Sequence, residues 1–509
     1  MSALVIASVG IFLRCVAISF NAYVSAKIGS ESMGLFTLVM SVYGLAVTVA
    51  TSGVNLAAVR LTAERVAHLS ENGGDKLAYR RTVRSVLASC TAYSLLFSLA
   101  ACALLYVFAP VIGKYLLADE RTVRSLRFIG LSLPAISVSS AVSGCFTGLR
   151  KGYKNAFSAL LEQFAKIVII STALTLTCRG TSDPIEYSCL AVVGGSAVSE
   201  ALSLVFNILL YIFDSKRPMG TKLSDKRAEC RRTVFLDAAR IALPVAVGAY
   251  ARQGLSTAEH LAIPWGLKKS GLSSPAALSS YGSLLGMAFP LVLFPSVVLT
   301  SAAGLLIPEL AEMRELGNKD AERRLIASAL ASSLLFSVGC AFVFYTFGEL
   351  LGMSVYVSAE VGTYIKTIAP LVPVMYTDTV TDCILKGLGE QKTCMRINVT
   401  DSAVSLFFAF VLVPCFGIGG YVASVYICEM LNFILSFSRL LKCAEIDKNI
   451  LSAGFLSLFA GFGAVVLIKL ADIIFPYTCA EGIVLFSVLY AAFVVICVRT
   501  SSKRKKTQI

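Results

Sequence analysis

Apolar residues in this chain fall in long unbroken runs, not in the three-to-four spacing of a half-buried helix or the alternation of a strand. A helix of about 20 such residues is long enough to cross the hydrocarbon core of a bilayer. The pattern predicts fourteen of them, over 2–26, 33–59, 85–109, 125–147, 155–177, 188–213, 235–257, 277–307, 325–350, 357–385, 397–415, 418–438, 451–472 and 480–498. The weakest division is at 415–417, and the last two runs are hard to separate. Intervening polar stretches reach roughly 25 residues, too few for a soluble catalytic domain. The expected fold class is therefore an all-α polytopic membrane protein, with the first run retained as a span instead of cleaved as a leader.

Composition agrees. The 509 residues are 56% hydrophobic and 15% charged, and the mean hydropathy is +0.77. A net charge of +14 would suggest nucleic acid in a soluble protein, but here most of the 45 lysines and arginines fall on one side if the N-terminus is cytoplasmic. That is the positive-inside bias. It predicts two cytoplasmic termini in a bacterial plasma membrane, and it assigns the basic clusters at 60–84, 216–232 and 503–506 to anionic lipid instead of nucleic acid. Fifteen cysteines are scattered without a CxxC pair or a His/Cys cluster, so packing is their expected role and no metal site is indicated. Cys178 and Cys189 flank an external loop and are the one pair placed for a bridge.

The chain also repeats itself. Gly34 lies 30 positions before Glu64, and Gly282 lies 30 before Glu312; Gly148-Leu149 lies 14 before Glu162, and Gly387-Leu388 lies 14 before Asp401. Each half ends in a span with one acid, Glu200 or Glu429. The repeat predicts two six-helix lobes, 1–213 and 235–438, related by a pseudo-two-fold along the membrane normal around a central cavity. A basic cytoplasmic linker, 214–234, joins them. Helices thirteen and fourteen (439–498) and a basic tail (499–509) follow the second lobe.

Charge inside an apolar span is expensive and marks candidate function. Arg14 sits in the first helix and Arg252 in the seventh, the first helix of each half. Each has two readings: a cavity-lining cation suited to phosphate by its planar fork, or a structural charge that snorkels or pairs with an acid. Lys166 shares a helix face with Glu162, either as an internal pair or as cavity groups. Asn21 is the other notable polar residue of helix one. Asp401, with Asn398, and Glu429 are candidates for a coupling Na⁺ or H⁺ site, with interhelical hydrogen bonding as the alternative. Lys366, Asp378 and Asp382 in helix ten are ambiguous in the same way. The two histidines, His68 and His260, and the lack of D-x-D or H-x4-D loops argue against a membrane-embedded transferase, and no cofactor is expected.

The stretch "LRCVAISFNAYVSAKIGSESMGLFTLVMSVYGLAVTVATSGVNLAAVRLTAE", together with "ALPVAVGAYARQGLSTAEHLAIP", "YGSLLGMAFPLVLFPSVVLTSAAGLLIPELAE", "LKGLGEQ" and "VPCFGIGGYVASVYICEMLNFILSFSRLLK", resembles the stage V sporulation protein B group of the multidrug/oligosaccharidyl-lipid/polysaccharide (MOP) flippase superfamily. The resemblance covers most of residues 10–442. It implies an alternating-access transporter, not an enzyme, that flips a polyprenyl-diphosphate-linked saccharide, a peptidoglycan or polysaccharide precursor, with a role in spore cortex formation. Related lipid II flippases carry cavity arginines in helices one, two and seven. Arg14 and Arg252 stand for the first and last, and helix two has none. The alternatives are a MATE-type organic-cation antiporter, which would want a carboxylate where Arg14 stands, and a non-transporting membrane scaffold.

Overall fold

A computed structural model of the chain describes residues 3–71, 76–177, 184–216, 231–444, 449–474 and 478–506. It is helical throughout these segments, with no strand among the described residues. The elements are α1 (Ala3–Thr51), α2 (Val54–Glu71), α3 (Lys76–Val111), α4 (Thr122–Gly130), α5 (Leu133–Gly148), α6 (Gly152–Thr177), α7 (Pro184–Lys216), α8 (Arg231–Lys269), α9 (Ser274–Tyr281), α10 (Phe289–Leu293), α11 (Ser296–Glu315), α12 (Lys319–Tyr356), α13 (Ala359–Ile368), α14 (Val372–Gly387), α15 (Gln391–Cys443), α16 (Asn449–Ile474) and α17 (Cys479–Lys506). Most of the basic linker, and Cys178, lie outside the described residues; Cys189 is a buried free thiol.

Eleven stretches of the described chain are long and apolar enough to cross a membrane, which makes this a multi-pass membrane protein. Two of them hold two expected spans each. In α1 the helix runs through Gly29 (φ 80°, ψ 169°), and in α15 through Gly417 (φ 60°, ψ −139°). Glycine takes these backbone conformations without the Cβ clash that other residues suffer, so one residue redirects the chain and no loop is needed. The eighth expected span is instead split. Gly282–Ala288 is a π-helical stretch, and Phe294-Pro295 separates Ser274–Leu293 from Ser296–Glu315. The thirteenth and fourteenth correspond to shorter apolar helices, Gly454–Ile468 and Cys479–Val495.

Compactness divides the chain differently from the two sequence halves 1–213 and 235–438. One unit comprises Met1–Leu13 and Glu31–Ala262, the other Arg14–Ser30 and Ile263–Ile509. Local bonds account for both exchanges. In the first unit, α8 is tied to the α1–α2 region: Tyr250 Oη donates to Ser52 Oγ (2.6 Å), Thr257 Oγ1 donates to the Ser41 carbonyl (3.0 Å), and Arg65 on α2 pairs with Asp237 (3.0 Å). In the second, Asn21 Nδ2 donates to the Gly286 carbonyl (3.4 Å) within the π-helical stretch, and the Ser30 and Ser279 hydroxyls are 2.6 Å apart.

The first unit has a core of Val54, Ala57, Ala58, Leu61, Val86, Cys90, Tyr93 and Ala141 on α2, α3 and α5, closed by Val234, Ala238 and Ala242 of α8. The second has one core around Leu310, Ile326, Leu330, Ile384 and Leu440, and another where Phe347 of α12 meets Ala464, Ile468 and Phe486 of α16 and α17. The repeat is visible in the packing. A Cβ on Gly148 would lie 2.6 Å from the Val59 carbonyl oxygen, and one on Gly387 would lie 3.2 Å from the Ile307 carbonyl oxygen. Each glycine thus lets the fourth helix of its unit meet the backbone of the second.

Candidate functional site

Within the first unit, α5, α6 and α7 meet along a polar seam. On α6, Asn155, Ser158, Glu162 and Lys166 recur every three to four residues and share a face; on α7, Glu200, Ser203 and Asn207 do the same. These two faces meet: the Ser158 and Ser203 hydroxyls are 3.4 Å apart, and a Cβ on Gly195 of α7 would lie 2.5 Å from Ile170 of α6. A cavity of about 270 Å³ opens along the seam, lined by Asn55, Ser139, Ser143, Asn155, Glu162 and Asn207 among others. Beyond it, Tyr43 Oη donates to Glu200 Oε2 (2.6 Å) and lies 2.7 Å from Ser132 Oγ. Glu162 and Lys166 lie within electrostatic range of Glu200. Among the described residues, no ion pair joins Glu162 to Lys166.

The second unit has a counterpart between α14 and α15. Asp378 is buried, and its Oδ2 accepts from Asn432 Nδ2 (2.9 Å). Asp378 Oδ1 and Asn432 Oδ1 are buried without a hydrogen-bond partner. Asp401 and Glu429 lie within electrostatic range of Asp378 and of each other. Of the three coupling-ion candidates, the structure therefore brings two together and adds Asp378 and Asn432. Asn398 turns to its own helix, where its Nδ2 donates to the Cys394 carbonyl (2.9 Å). Asp382 is paired with Lys386 (3.4 Å), and Lys366 with Glu349 (2.8 Å).

Arg14 and Arg252 are both exposed side chains, and Lys166 is partly exposed. None of the three makes a hydrogen bond or ion pair with the described residues. Other arginines differ. Arg121, between α3 and α4, binds Asp119 (2.7 Å) and Glu31 (3.2 Å), and these bonds raise its already high pKa; Arg439 binds Glu390 through two nitrogens (2.6 and 3.2 Å). Arg14 stands seven residues before Asn21 on α1, two helical turns away on the same face, so it projects from the side of the helix that reaches the Gly286 carbonyl.

Sequence reasoning missed the neutral members of both seams. Asn155, Asn207, Ser139, Ser203 and Asn432 carry no charge, so they did not stand out against apolar surroundings. The signal that could have found Asn155, Asn207, Ser203 and Asn432 is helical spacing of three or seven from Glu162, Glu200 or Glu429; Ser139, on another helix, offered none.

Residues 2–249 match the model of the polysaccharide biosynthesis protein family. The chain is 24% identical over 449 residues to Stage V sporulation protein B of Bacillus subtilis (strain 168), covering 88% of this chain and 84% of that protein. Its fold is similar to that of lipid II flippase MurJ in an inward closed conformation, with TM-score 0.70 and 14% identity over 98% of this chain and 99% of that one. It is also similar to an inward-facing MATE family multidrug resistance transporter of the MOP superfamily, with TM-score 0.65 and 14% identity over 89% and 99% of the two chains. With the apolar helices and the internal repeat, these likenesses make the chain a multi-pass membrane protein that is similar to polysaccharide biosynthesis and stage V sporulation B proteins and shares the fold of MurJ and of the MATE transporter.

Proposed function

We propose that the chain flips a polyprenyl-diphosphate-linked saccharide across the bacterial cytoplasmic membrane by alternating access, with both termini cytoplasmic. Arg14, Arg252 and Lys166 are the cations offered to the diphosphate, with Asn21 and Glu162 as polar cavity groups. The observation that carries this reading is the unspent hydrogen-bonding capacity of the three cations among the described residues. A guanidinium kept in an apolar helix without a carboxylate has its donors available for an anionic head group. Coupling to Na⁺ or H⁺ falls to Asp401, Asp378 and Glu429, carboxylates set together inside one helical unit. A role in spore cortex formation, and a peptidoglycan precursor as the saccharide, are supported by the names of the relatives, a sporulation protein and a lipid II flippase. The basic segments give anionic lipids as further partners.

The test is a flipping assay in proteoliposomes with several fluorescent polyprenyl-diphosphate saccharides, run with and without Na⁺, a pH gradient and a membrane potential. Protein-dependent movement of these lipids is the expected result. Export of organic cations without lipid flipping would favour the antiporter and refute this reading; movement of neither would favour a scaffold.

A further inference from the structure

The cavity of the first unit shares no residue with the acid cluster of the second, and it has the chemistry of a cation site. We infer that it binds one monovalent hard cation, Na⁺ being the probe, held by Glu162 and the amide oxygens of Asn155 and Asn207.

Asn207 is buried, 3% exposed, and its Nδ2 is committed to Ser139 Oγ (2.8 Å); Asn155 Nδ2 is committed to the Ser143 carbonyl (3.0 Å) and Thr147 Oγ1 (2.9 Å). The nitrogen ends being anchored, the two Oδ1 atoms belong to cavity-lining residues and are buried without a hydrogen-bond partner. Buried acceptors left unmatched are costly, and each needs a partner that the protein does not itself supply. Glu162 adds a carboxylate, and the hydroxyls of Ser139, Ser158 and Ser203 add neutral oxygens. An all-oxygen donor set selects a hard cation.

Charge selects a monovalent one. Among the lining residues Glu162 supplies the single carboxylate, and the other donors are neutral oxygens. Among the described residues no group of three His, Cys, Asp or Glu is placed to hold a metal ion, so a divalent or transition ion lacks its usual anionic ligands. Size permits the guest: about 270 Å³ is ample beside the roughly 30 Å³ that one water occupies in the liquid.

The internal repeat provides an independent handle. Ser139 stands nine residues before Gly148, and Asp378 stands nine before Gly387; Ser203 follows Glu200 by three, and Asn432 follows Glu429 by three. The first unit is thus a less acidic version of the arrangement that carries Asp378, Asp401 and Glu429. Putting the missing acid back should strengthen cation binding.

The experiment measures saturable ²²Na⁺ binding to the purified full-length chain in detergent, with choline as the inert counter-salt and no lipid substrate present, so its outcome is separate from that of the flipping assay. Asp401→Asn is expected to retain a saturable component. In the Asp401→Asn background, Glu162→Gln and Asn207→Leu, each eluting as wild type does on size exclusion, should lose it. Ser139→Asp should lower the apparent Kd by about tenfold or more, from the added charge at short range in a partly screened site. If Asp401→Asn binds no ²²Na⁺ saturably, the orphan oxygens are met by water and the inference is wrong. A Ser139→Asp protein that folds but binds no tighter than wild type would overturn it equally, even where the loss variants fail to fold.

Discussion

Replacing Arg14 or Arg252 by alanine separates a ligand from a structural charge. Each side chain is exposed and makes no hydrogen bond or ion pair with the described residues, so truncation strands no buried acceptor and leaves no acid uncompensated. A stability change within about 0.5 kcal/mol follows. Transport should respond far more. A charge-assisted hydrogen bond to a phosphate oxygen contributes about 1.5–3 kcal/mol, and its loss lowers flipping efficiency by roughly 10- to 150-fold. Arg14→Lys keeps the charge without the planar fork and should fall between wild type and alanine. Arg121→Ala is the contrasting control, because it breaks bonds to Asp119 and Glu31 and should lower the Tm. The assay pairs thermal unfolding in detergent with flipping in proteoliposomes. Wild-type flipping by Arg14→Ala and Arg252→Ala, or a Tm drop in either as large as that of Arg121→Ala, would sink the assignment.

Three further outcomes follow from particular contacts. Gly148→Leu drives a side chain into the Val59 carbonyl, whose oxygen would lie 2.6 Å from the new Cβ, and should destabilise by about 1–3 kcal/mol in thermal or denaturant unfolding. Tyr43→Phe removes the donor to Glu200 at 2.6 Å and should cost about 1–3 kcal/mol, with no comparable loss in Tyr23→Phe, whose ring is exposed. Glu390, in the turn before α15, is held at a pKa of about 2 by hydrogen bonds from Arg439 and Thr393. Its folded pKa is depressed, so the stabilisation is complete above the ordinary glutamate value and fades as the pH falls toward 2; Arg439→Ala should remove that share of the acid-side decline in Tm between pH 5 and 3.

The helices were legible in the sequence because a long apolar run in a chain of this composition admits one solution, a helix that satisfies its own backbone. Even the weak break at 415–417 is present, at Gly417, and the gap expected between the runs 2–26 and 33–59 is marked by Gly29. What could not be read is which helix packs with which. Arg14–Ser30 joins the second unit through Asn21 and Ser30, and the early part of α8 joins the first through Tyr250 and Thr257. Helices that are apolar all round have no single face that names a partner, so neighbour order in the sequence was the available guide. The candidate site was legible where it was charged. Arg14, Arg252 and Asp401 stood out by their insertion cost, whereas Asn207 and Asn432 did not, although both are fixed in hydrogen-bonded seams.

The two seams show how an internal duplication diverges. At Gly148 and Gly387 the geometry is held in common: a fourth helix meets the backbone of a second, and a Cβ in either position would crowd a carbonyl. Packing of that kind tolerates little change, because a single added methylene in a close-packed contact is felt. The side chains facing the seams are under no such constraint. In the first unit Ser139 meets Asn207 beside the lining carboxylate Glu162; in the second, Asp378 takes the serine's place in the repeat and meets Asn432, beside Asp401 and Glu429. A protein that keeps its scaffold and two of its acids in both halves, but carries an acid at Asp378 where the other half has Ser139, has two helical units that would not respond alike to the same ion. That difference gives a coupling ion something to act on, since a ligand shifts a conformational equilibrium only by its unequal affinity for the two states.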